Sequence, residues 1–142
     1  MEIPEPLLLF YVLYAGILCL KILFMTLLTV INRLSKGVFV NPEDSKGGEV
    51  RKDETVERIR RAHLNDLENI VPFLFLGGLY LTTGPYVFVA KTLFRVFTLS
   101  RIIYSYAYIM GTQPARRYAF RTSFLIVSYM GIQVVLHYIT EI

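Results

Sequence analysis

The chain has 142 residues, of which 54% are hydrophobic and 18% are charged, and its mean hydropathy is +0.49. This composition excludes an ordinary soluble domain, since such domains carry about 25% charged residues. The single cysteine, Cys19, excludes a disulfide framework within the chain, and two distant histidines give a metal site little to use. The net charge of +4 does not indicate nucleic acid, because the basic residues cluster in loops between apolar segments.

Four apolar segments are long enough to cross a bilayer, which requires about 20 mainly apolar residues. In chain order they are 7–31, 64–83, 86–110 and 118–139. The first is interrupted only by Lys21, and we expect it to be retained because no small-residue cleavage site follows it. The second continues a polar helix that starts near residue 55, and Gly84-Pro85 ends it. The sequence predicts an all-α, integral membrane four-helix bundle that forms one domain over 1–142.

Basic residues indicate how the bundle is oriented. The loop at 32–60 and the helix that follows it carry eight of them, namely Arg33, Lys36, Lys46, Arg51, Lys52, Arg58, Arg60 and Arg61. The turn around residues 111–117 adds Arg116 and Arg117, whereas the two ends of the chain and the turn at 84–86 have no Lys or Arg. By the positive-inside rule both basic loops face the cytosol, and both termini lie on the far side.

The start of the second helix carries the residues best suited to bind a polar ligand. At about 100° per residue, Glu57, Arg61, Asn65 and Glu68 fall within about 80° of one another on one face. Arginine binds carboxylates and glutamate accepts from ammonium, so this face can hold a ligand with both groups. For Glu57 and Arg58 alone, an interfacial ladder of salt bridges is the favoured interpretation.

Charges deeper in the spans need partners, because an unpaired charge in hydrocarbon costs several kcal/mol. We expect Arg101, in the middle of the third span, to pair with Asp66 or Glu68 as a structural counter-charge. Lys21 invites the same interpretation, with Asp66 as its partner. Tyr108 lies nearer the cytosolic end and is a candidate hydrogen-bond donor to a ligand, although interfacial tyrosines are common.

The fourth span opens with a cluster of arginines that is suited to a thiolate. Arg117 and Arg121 share a face at a spacing of four residues, an unfavourable pairing unless an anion or water lies between them. A nearby guanidinium lowers the pKa of a thiol from about 8.5 and so favours the nucleophilic thiolate. A simple cytosolic anchor is the alternative. The sequence has none of the motifs G-x-S-x-G, G-x-x-x-x-G-K-[ST], G-x-G-x-x-G or H-E-x-x-H, so hydrolase, nucleotide and zinc-protease functions have no support.

Two of these stretches resemble a known family. The segment VERIRRAHLNDLENIVPF at 56–73 is similar to the signature of the membrane-associated proteins in eicosanoid and glutathione metabolism, the MAPEG family. The segment FVNPED at 39–44 resembles the first cytosolic loop of its glutathione transferase and prostaglandin synthase branches. Arg101, Tyr108 and Arg117 match the spacing of those branches, and the resemblance covers roughly residues 20–121.

The resemblance implies a homotrimer in the endoplasmic reticulum membrane, with a multi-pass subunit, a cytosolic active face and lumenal termini. Glutathione is the implied co-substrate, bound between neighbouring subunits, and an apolar electrophile or lipid hydroperoxide reaches it from the bilayer. Arg117 is the implied catalytic residue that stabilises the thiolate. The implied glutathione-binding residues are Arg33, Arg60, Arg61, His63, Asn65, Glu68 and Tyr108. Arg121 has no counterpart in the family pattern, and we add it as a residue that pairs with bound glutathione or with Glu57 of a neighbour.

Departures from the pattern favour one branch over the other. Leu64 and Tyr104 resemble the transferase branch at two positions where it differs from the prostaglandin synthase branch. Tyr118 and Arg121 stand where the synthase has a serine and a tyrosine. The leading hypothesis is therefore a microsomal-type glutathione S-transferase with glutathione peroxidase activity. The alternatives are glutathione-dependent isomerisation of a prostaglandin endoperoxide and a non-catalytic lipid-binding scaffold.

Overall fold

The computed structural model describes residues 3–44 and 52–140, and in this part of the chain it contains four α-helices and no strand. The helices are α1 (Glu5–Lys36), α2 (Glu54–Thr82), α3 (Val87–Met110) and α4 (Gln113–Ile139), with a short 3-10 turn at Pro42–Asp44. The predicted all-α four-helix architecture is confirmed. Lys46 and Arg51, two basic residues of the predicted cytosolic loop, lie outside the described residues.

The end of α1 is tied to the start of α2 by capping interactions. Gly37 ends α1 in the left-handed conformation, with φ of 61°, which glycine adopts without a steric penalty. Asp53 caps α2 because its carboxylate accepts from the backbone N–H groups of Thr55 and Val56 at 2.9 and 3.1 Å. Lys36 also donates to this carboxylate at 2.7 Å. These contacts fix the angle at which the polar part of α2 leaves the loop.

The turn between α3 and α4 differs from the prediction. Gly111 ends α3 with φ of 74°, but α4 already begins at Gln113, five residues before the predicted membrane span. Pro114 is the reason, since proline fits the first turn of a helix, where its missing N–H has no partner to lose. Arg116 and Arg117 are consequently helical and project from the first turn and a half of α4.

Aromatic and apolar side chains fill the interior between α2 and α3, which each pack against all the other helices. Phe73 stacks on Phe97 with ring centroids 4.0 Å apart and meets Phe94 edge-on at 5.8 Å. Gly77 lets α1 approach closely, because a Cβ atom there would lie 3.2 Å from the ring of Tyr11. The close packing at Gly77 thus occurs within one chain.

The exterior of the bundle is apolar, as in a protein that faces lipid. Phe75, Leu20 and Leu125 are 71%, 67% and 66% exposed. By length and composition α1 and α4 are able to cross a membrane. Both α2 and α3 carry charges, but Asp66 and Arg101 are buried in the bundle interior. The positions of the four individual spans, and the orientation across the membrane, stay predictions.

Candidate functional site

A first cavity lies where α1 ends and α2 begins, and we call it the loop cavity. It encloses about 630 Å³ and has both acidic and basic walls. Its lining residues are Arg33, Val38, Val40, Lys52, Asp53, Glu54, Val56, Glu57, Arg60 and Arg61. Three predicted glutathione-binding arginines therefore share one cavity. It is suited to a ligand that carries more than one carboxylate.

Ion pairs hold two of the three arginines of the loop cavity in place. Arg60 donates to Glu57 from Nε and Nη2 at 3.2 and 3.0 Å, and Arg61 donates to Glu54 at 3.2 Å. The hydrogen bond from Arg60, with the positive charges of Arg61 and Arg33, lowers the pKa of the Glu57 carboxyl below its ordinary value. The Nε atom of Arg33 is buried and has no hydrogen-bond partner among the described residues. That donor is available to a ligand.

A second cavity, the α4 cavity, lies beside the first turns of α4 and encloses about 300 Å³. Its lining residues are Asn65, Tyr104, Gln113, Arg116, Arg117 and Phe120. The predicted catalytic Arg117 and the predicted ligand Asn65 therefore face the same space. Tyr108 lies next to it, with its ring 4.8 Å from the guanidinium of Arg116 and 5.7 Å from the ring of Tyr104.

A buried network of charges lies behind Asn65 and Tyr104, two lining residues of the α4 cavity, and we call it the core charge network. Asp66 accepts from Arg101 Nε and Nη2 at 3.2 and 2.7 Å, from Ser105 at 2.8 Å, and from Lys21. Arg101 and Asp66 are fully buried, and the side chain of Lys21 is 11% exposed. Asp66 is therefore the partner of both cations, whereas Glu68, the other acid proposed for Arg101, lies elsewhere.

Arg101 also orients the amide of Asn65. Its Nη2 atom donates to Asn65 Oδ1 at 3.0 Å, so the amide nitrogen of Asn65 points away from the core. That nitrogen donates to Glu68 Oε2 at 3.3 Å. Glu68 in turn lines a third cavity, which is described next. The hydrogen bond therefore joins the polar and the apolar parts of the site.

The third cavity is an apolar groove of about 600 Å³ between α2 and α4, which we call the α2–α4 groove. Its lining residues are Glu68, Asn69, Pro72, Leu76, Phe124, Val127, Ser128, Gly131, Ile132, Val135 and Leu136. Carbon atoms dominate this surface, and its polar side chains are few. An apolar molecule that enters from the bilayer fits such a groove better than a peptide does.

The two remaining predicted residues lie apart from these cavities. His63 is directed towards α1, where its Nε2 atom is 3.4 Å from Thr26 Oγ1. Arg121 is exposed and lines none of the three cavities. One chain thus distributes the predicted glutathione-binding residues over separate surfaces. It does not gather all of them around one space.

Sequence reasoning missed several residues of these walls. Lys52 and Glu54 line the loop cavity, and Arg116 and Gln113 line the α4 cavity. Glu54 could have been predicted as the acidic partner of Arg58 and Arg61, because it lies four and seven residues before them on the same helix. No sequence signal indicated Gln113, because its position depends on α4 beginning earlier than the apolar pattern suggests.

Taken together, the fold and these cavities define an integral membrane four-helix bundle with arginine-rich cavities at one end and an apolar groove along α2 and α4. The MAPEG family model matches residues 11–136. The chain belongs to the MAPEG family.

Two groups of curated relatives are similar to the chain. Microsomal glutathione S-transferase 1 of Mus musculus is 49% identical over 116 residues, and the alignment covers 75% of each chain. The protein of the same name from Homo sapiens is 45% identical with the same coverage. Prostaglandin E synthase of Bos taurus is 40% identical over 130 residues, which cover 88% of this chain and 85% of that relative. These similarities agree with the resemblance found in the sequence.

Proposed function

We propose that this chain is a membrane-bound glutathione S-transferase that uses the glutathione thiolate against apolar electrophiles. The observation that carries this proposal is that contacting residues link the α4 cavity, which holds Arg116 and Arg117, to the apolar α2–α4 groove: Asn65 donates to Glu68 at 3.3 Å, and the rings of Phe120 and Phe124 are 6.0 Å apart. A transferase of this kind must bring a charged peptide and an apolar molecule together. The similarity to microsomal glutathione S-transferase 1 at 45–49% identity supports the same function.

The chemistry of glutathione fits the side chains that line the cavities. Its two carboxylates match arginines, its ammonium matches a carboxylate, and its thiol requires a nearby positive charge. The residues proposed to bind it are Arg33, Arg60, Arg61, His63, Asn65, Glu68, Tyr108 and Arg121. Within this set, Arg61, Glu68 and Tyr108 position the peptide.

Arg117 is the proposed catalytic residue. Its guanidinium stabilises the thiolate after the thiol proton has left for solvent, so a larger fraction of bound glutathione is nucleophilic at neutral pH. The sulfur then attacks an electrophilic carbon, forms a thioether and expels the leaving group with its electron pair. Binding both reactants side by side also removes much of the entropic cost of their encounter.

The same thiolate supports a peroxidase reaction. Attack on the O–O bond of a lipid hydroperoxide releases the alcohol and oxidises the sulfur, and a second glutathione then yields the disulfide and water. The apolar α2–α4 groove accommodates the acyl chain of such a substrate. We therefore propose glutathione peroxidase activity as a second reaction of the same site.

The active form is proposed to be a homotrimer in the endoplasmic reticulum membrane. In one chain the predicted residues occupy separate cavities, and a neighbouring copy that packs against α2 and α4 brings its own residues to the site. We propose one domain over 1–142 with four membrane spans, both basic loops in the cytosol and both termini in the lumen. The number three comes from the family resemblance.

Replacing Arg117 tests the proposed function. In purified wild-type protein we expect an ultraviolet thiolate signal on addition of glutathione near neutral pH. Arg117→Ala should abolish this signal and reduce turnover with an aryl halide by about 100-fold, the usual cost of losing one charge-stabilising donor. Glutathione binding, measured by calorimetry, should be largely retained.

A matched control removes an arginine far from these cavities. Arg95 lies against the ring of Phe10 near the start of α3, at the opposite end of the bundle from α4's first turns. Arg95→Ala should keep both the thiolate signal and the turnover of the wild type. Unchanged turnover in Arg117→Ala would contradict the role of Arg117. Absence of any glutathione binding in the wild type would favour a lipid-binding scaffold.

A second candidate function is glutathione-dependent isomerisation of a prostaglandin endoperoxide. The observation that favours it is the 40% identity to prostaglandin E synthase over 88% of this chain. Product analysis separates the two functions. The isomerase forms a hydroxyketone from the endoperoxide and leaves an aryl halide unchanged, whereas the transferase forms the thioether from the aryl halide.

A further inference from the structure

The core charge network contains more positive than negative charge. With Lys21 and Arg101 protonated and Asp66 ionised, it holds two cations and one anion. The groups that face it come from all four helices: Lys21 from α1, Asn65 and Asp66 from α2, Arg101, Tyr104 and Ser105 from α3, and Ser123 from α4. None of the others is an anion. The next carboxylate, Glu68, lies outside the network, where it accepts from Asn65 Nδ2 at 3.3 Å and lines the α2–α4 groove. The network therefore carries a net charge of +1.

This excess charge is enclosed by protein. Arg101 and Asp66 are 0% exposed, and the side chain of Lys21 is 11% exposed. Water therefore screens the charge poorly, and its field extends farther than that of a surface arginine. A structural ion pair needs only one cation for Asp66, so the second cation is not required for neutrality.

The network also adjoins the proposed thiolate position. The guanidinium of Arg101 stacks 4.4 Å from the centre of the Tyr104 ring and donates to Asn65 at 3.0 Å. Both Tyr104 and Asn65 line the α4 cavity, together with Arg117. Only one layer of side chains separates the buried charge from that space.

From this geometry we infer that Lys21 is an electrostatic positioning residue, which gives the core charge network its excess positive charge and so helps Arg117 to stabilise the glutathione thiolate. The inference rests on the proposed function. Lys21 lies on α1 and contacts Asp66 and Ser105, and it lines none of the three cavities. Its effect on the thiol is exerted through charge and requires no contact with the substrate.

Removing this charge should raise the pKa of bound glutathione. A unit charge about 10 Å away shifts a pKa by about one unit at an effective dielectric constant of about 20. In Lys21→Met we therefore expect the midpoint of the thiolate signal to rise by about one pH unit. The rate with an aryl halide below that midpoint should fall about tenfold, while the dissociation constant of glutathione changes little.

Two further variants separate charge from packing. Lys21→Met/Asp66→Asn restores the net charge of +1, so the thiolate midpoint should return towards the wild-type value although more of the network has been changed. A purely structural role predicts a larger defect in the double variant. Ser105→Ala removes a hydrogen bond and keeps the charge, so its midpoint should equal that of the wild type.

The outcomes distinguish this inference from the proposed function. If wild-type protein forms no thiolate, the proposed function fails. If it does so and Lys21→Met has an unchanged midpoint, only the inference is overturned. Should Lys21→Met not fold, Lys21→Gln decides, because it removes the charge and keeps a polar side chain. A midpoint about one pH unit above the wild-type value would support the inference, and a wild-type midpoint would overturn it.

Discussion

The Asp66 carboxylate is the single acid in the core charge network, and its removal should strongly destabilise the fold. In Asp66→Ala, Arg101 and Lys21 stay buried without their anion, and Ser105 loses its acceptor. Deleting one partner of a buried ion pair typically costs about 3–5 kcal/mol, a large share of a total stability of about 5–15 kcal/mol. We therefore expect the melting temperature to fall by about 10 °C.

The measurement is thermal unfolding of the protein in detergent micelles, followed by loss of helical circular dichroism. A matched variant, Lys21→Met/Asp66→Leu/Arg101→Met, replaces all three charged groups by apolar side chains. Exchange of a whole buried ion network for apolar residues is often neutral or stabilising by about 1–4 kcal/mol. The triple variant should therefore melt well above Asp66→Ala. A melting temperature of Asp66→Ala within about 2 °C of the wild type, less than 1 kcal/mol, would refute the reasoning.

Two further predictions concern packing and the α1–α2 junction. Gly77→Val should lower the melting temperature, because even a Cβ atom there lies 3.2 Å from the ring of Tyr11. Gly16→Val should not, because a Cβ atom at Gly16 has no neighbour within 4 Å. Equal losses of melting temperature in the two variants would contradict this explanation. The hydrogen bond from Lys36, followed by that from the α2 backbone, lowers the pKa of Asp53 below its ordinary value of 3.8. A lowered folded-state pKa gives stability that is present above 3.8 and is lost as the pH falls through the folded value. Melting curves between pH 6 and pH 3 should therefore show a steeper acid loss in the wild type than in Asp53→Asn, and parallel curves would argue against it.

Much of the architecture followed from the sequence because local signals agreed with one another. The Gly84-Pro85 pair predicted a break between two helices, and the structure has it there: α2 ends at Thr82 and α3 begins at Val87. The turn predicted around residues 111–117 is shorter in the structure, because Pro114 lies in the first turn of α4. Proline both breaks helices and begins them, and only the observed position of Gln113 decided which applied.

The site was predictable in its residue types and less so in its arrangement. Helical periodicity placed Arg61 and Glu57 on one face, yet Arg61 pairs with Glu54, seven residues away. Flexible arginine side chains reach two turns along a helix, so angular position alone does not select their partner. The distribution of Arg33 and Arg117 over separate cavities likewise depends on how α1 and α4 meet α2.

By itself the sequence determined the four helices, their apolar exterior and the need for an anionic partner to Arg101, because hydrocarbon does not tolerate unpaired charge. Only the tertiary structure decided that Asp66 serves both Arg101 and Lys21, while Glu68 remains at the edge of the α2–α4 groove. The two acids lie two residues apart on α2, which places them about 200° apart around the helix axis. One therefore enters the core, and the other faces the groove.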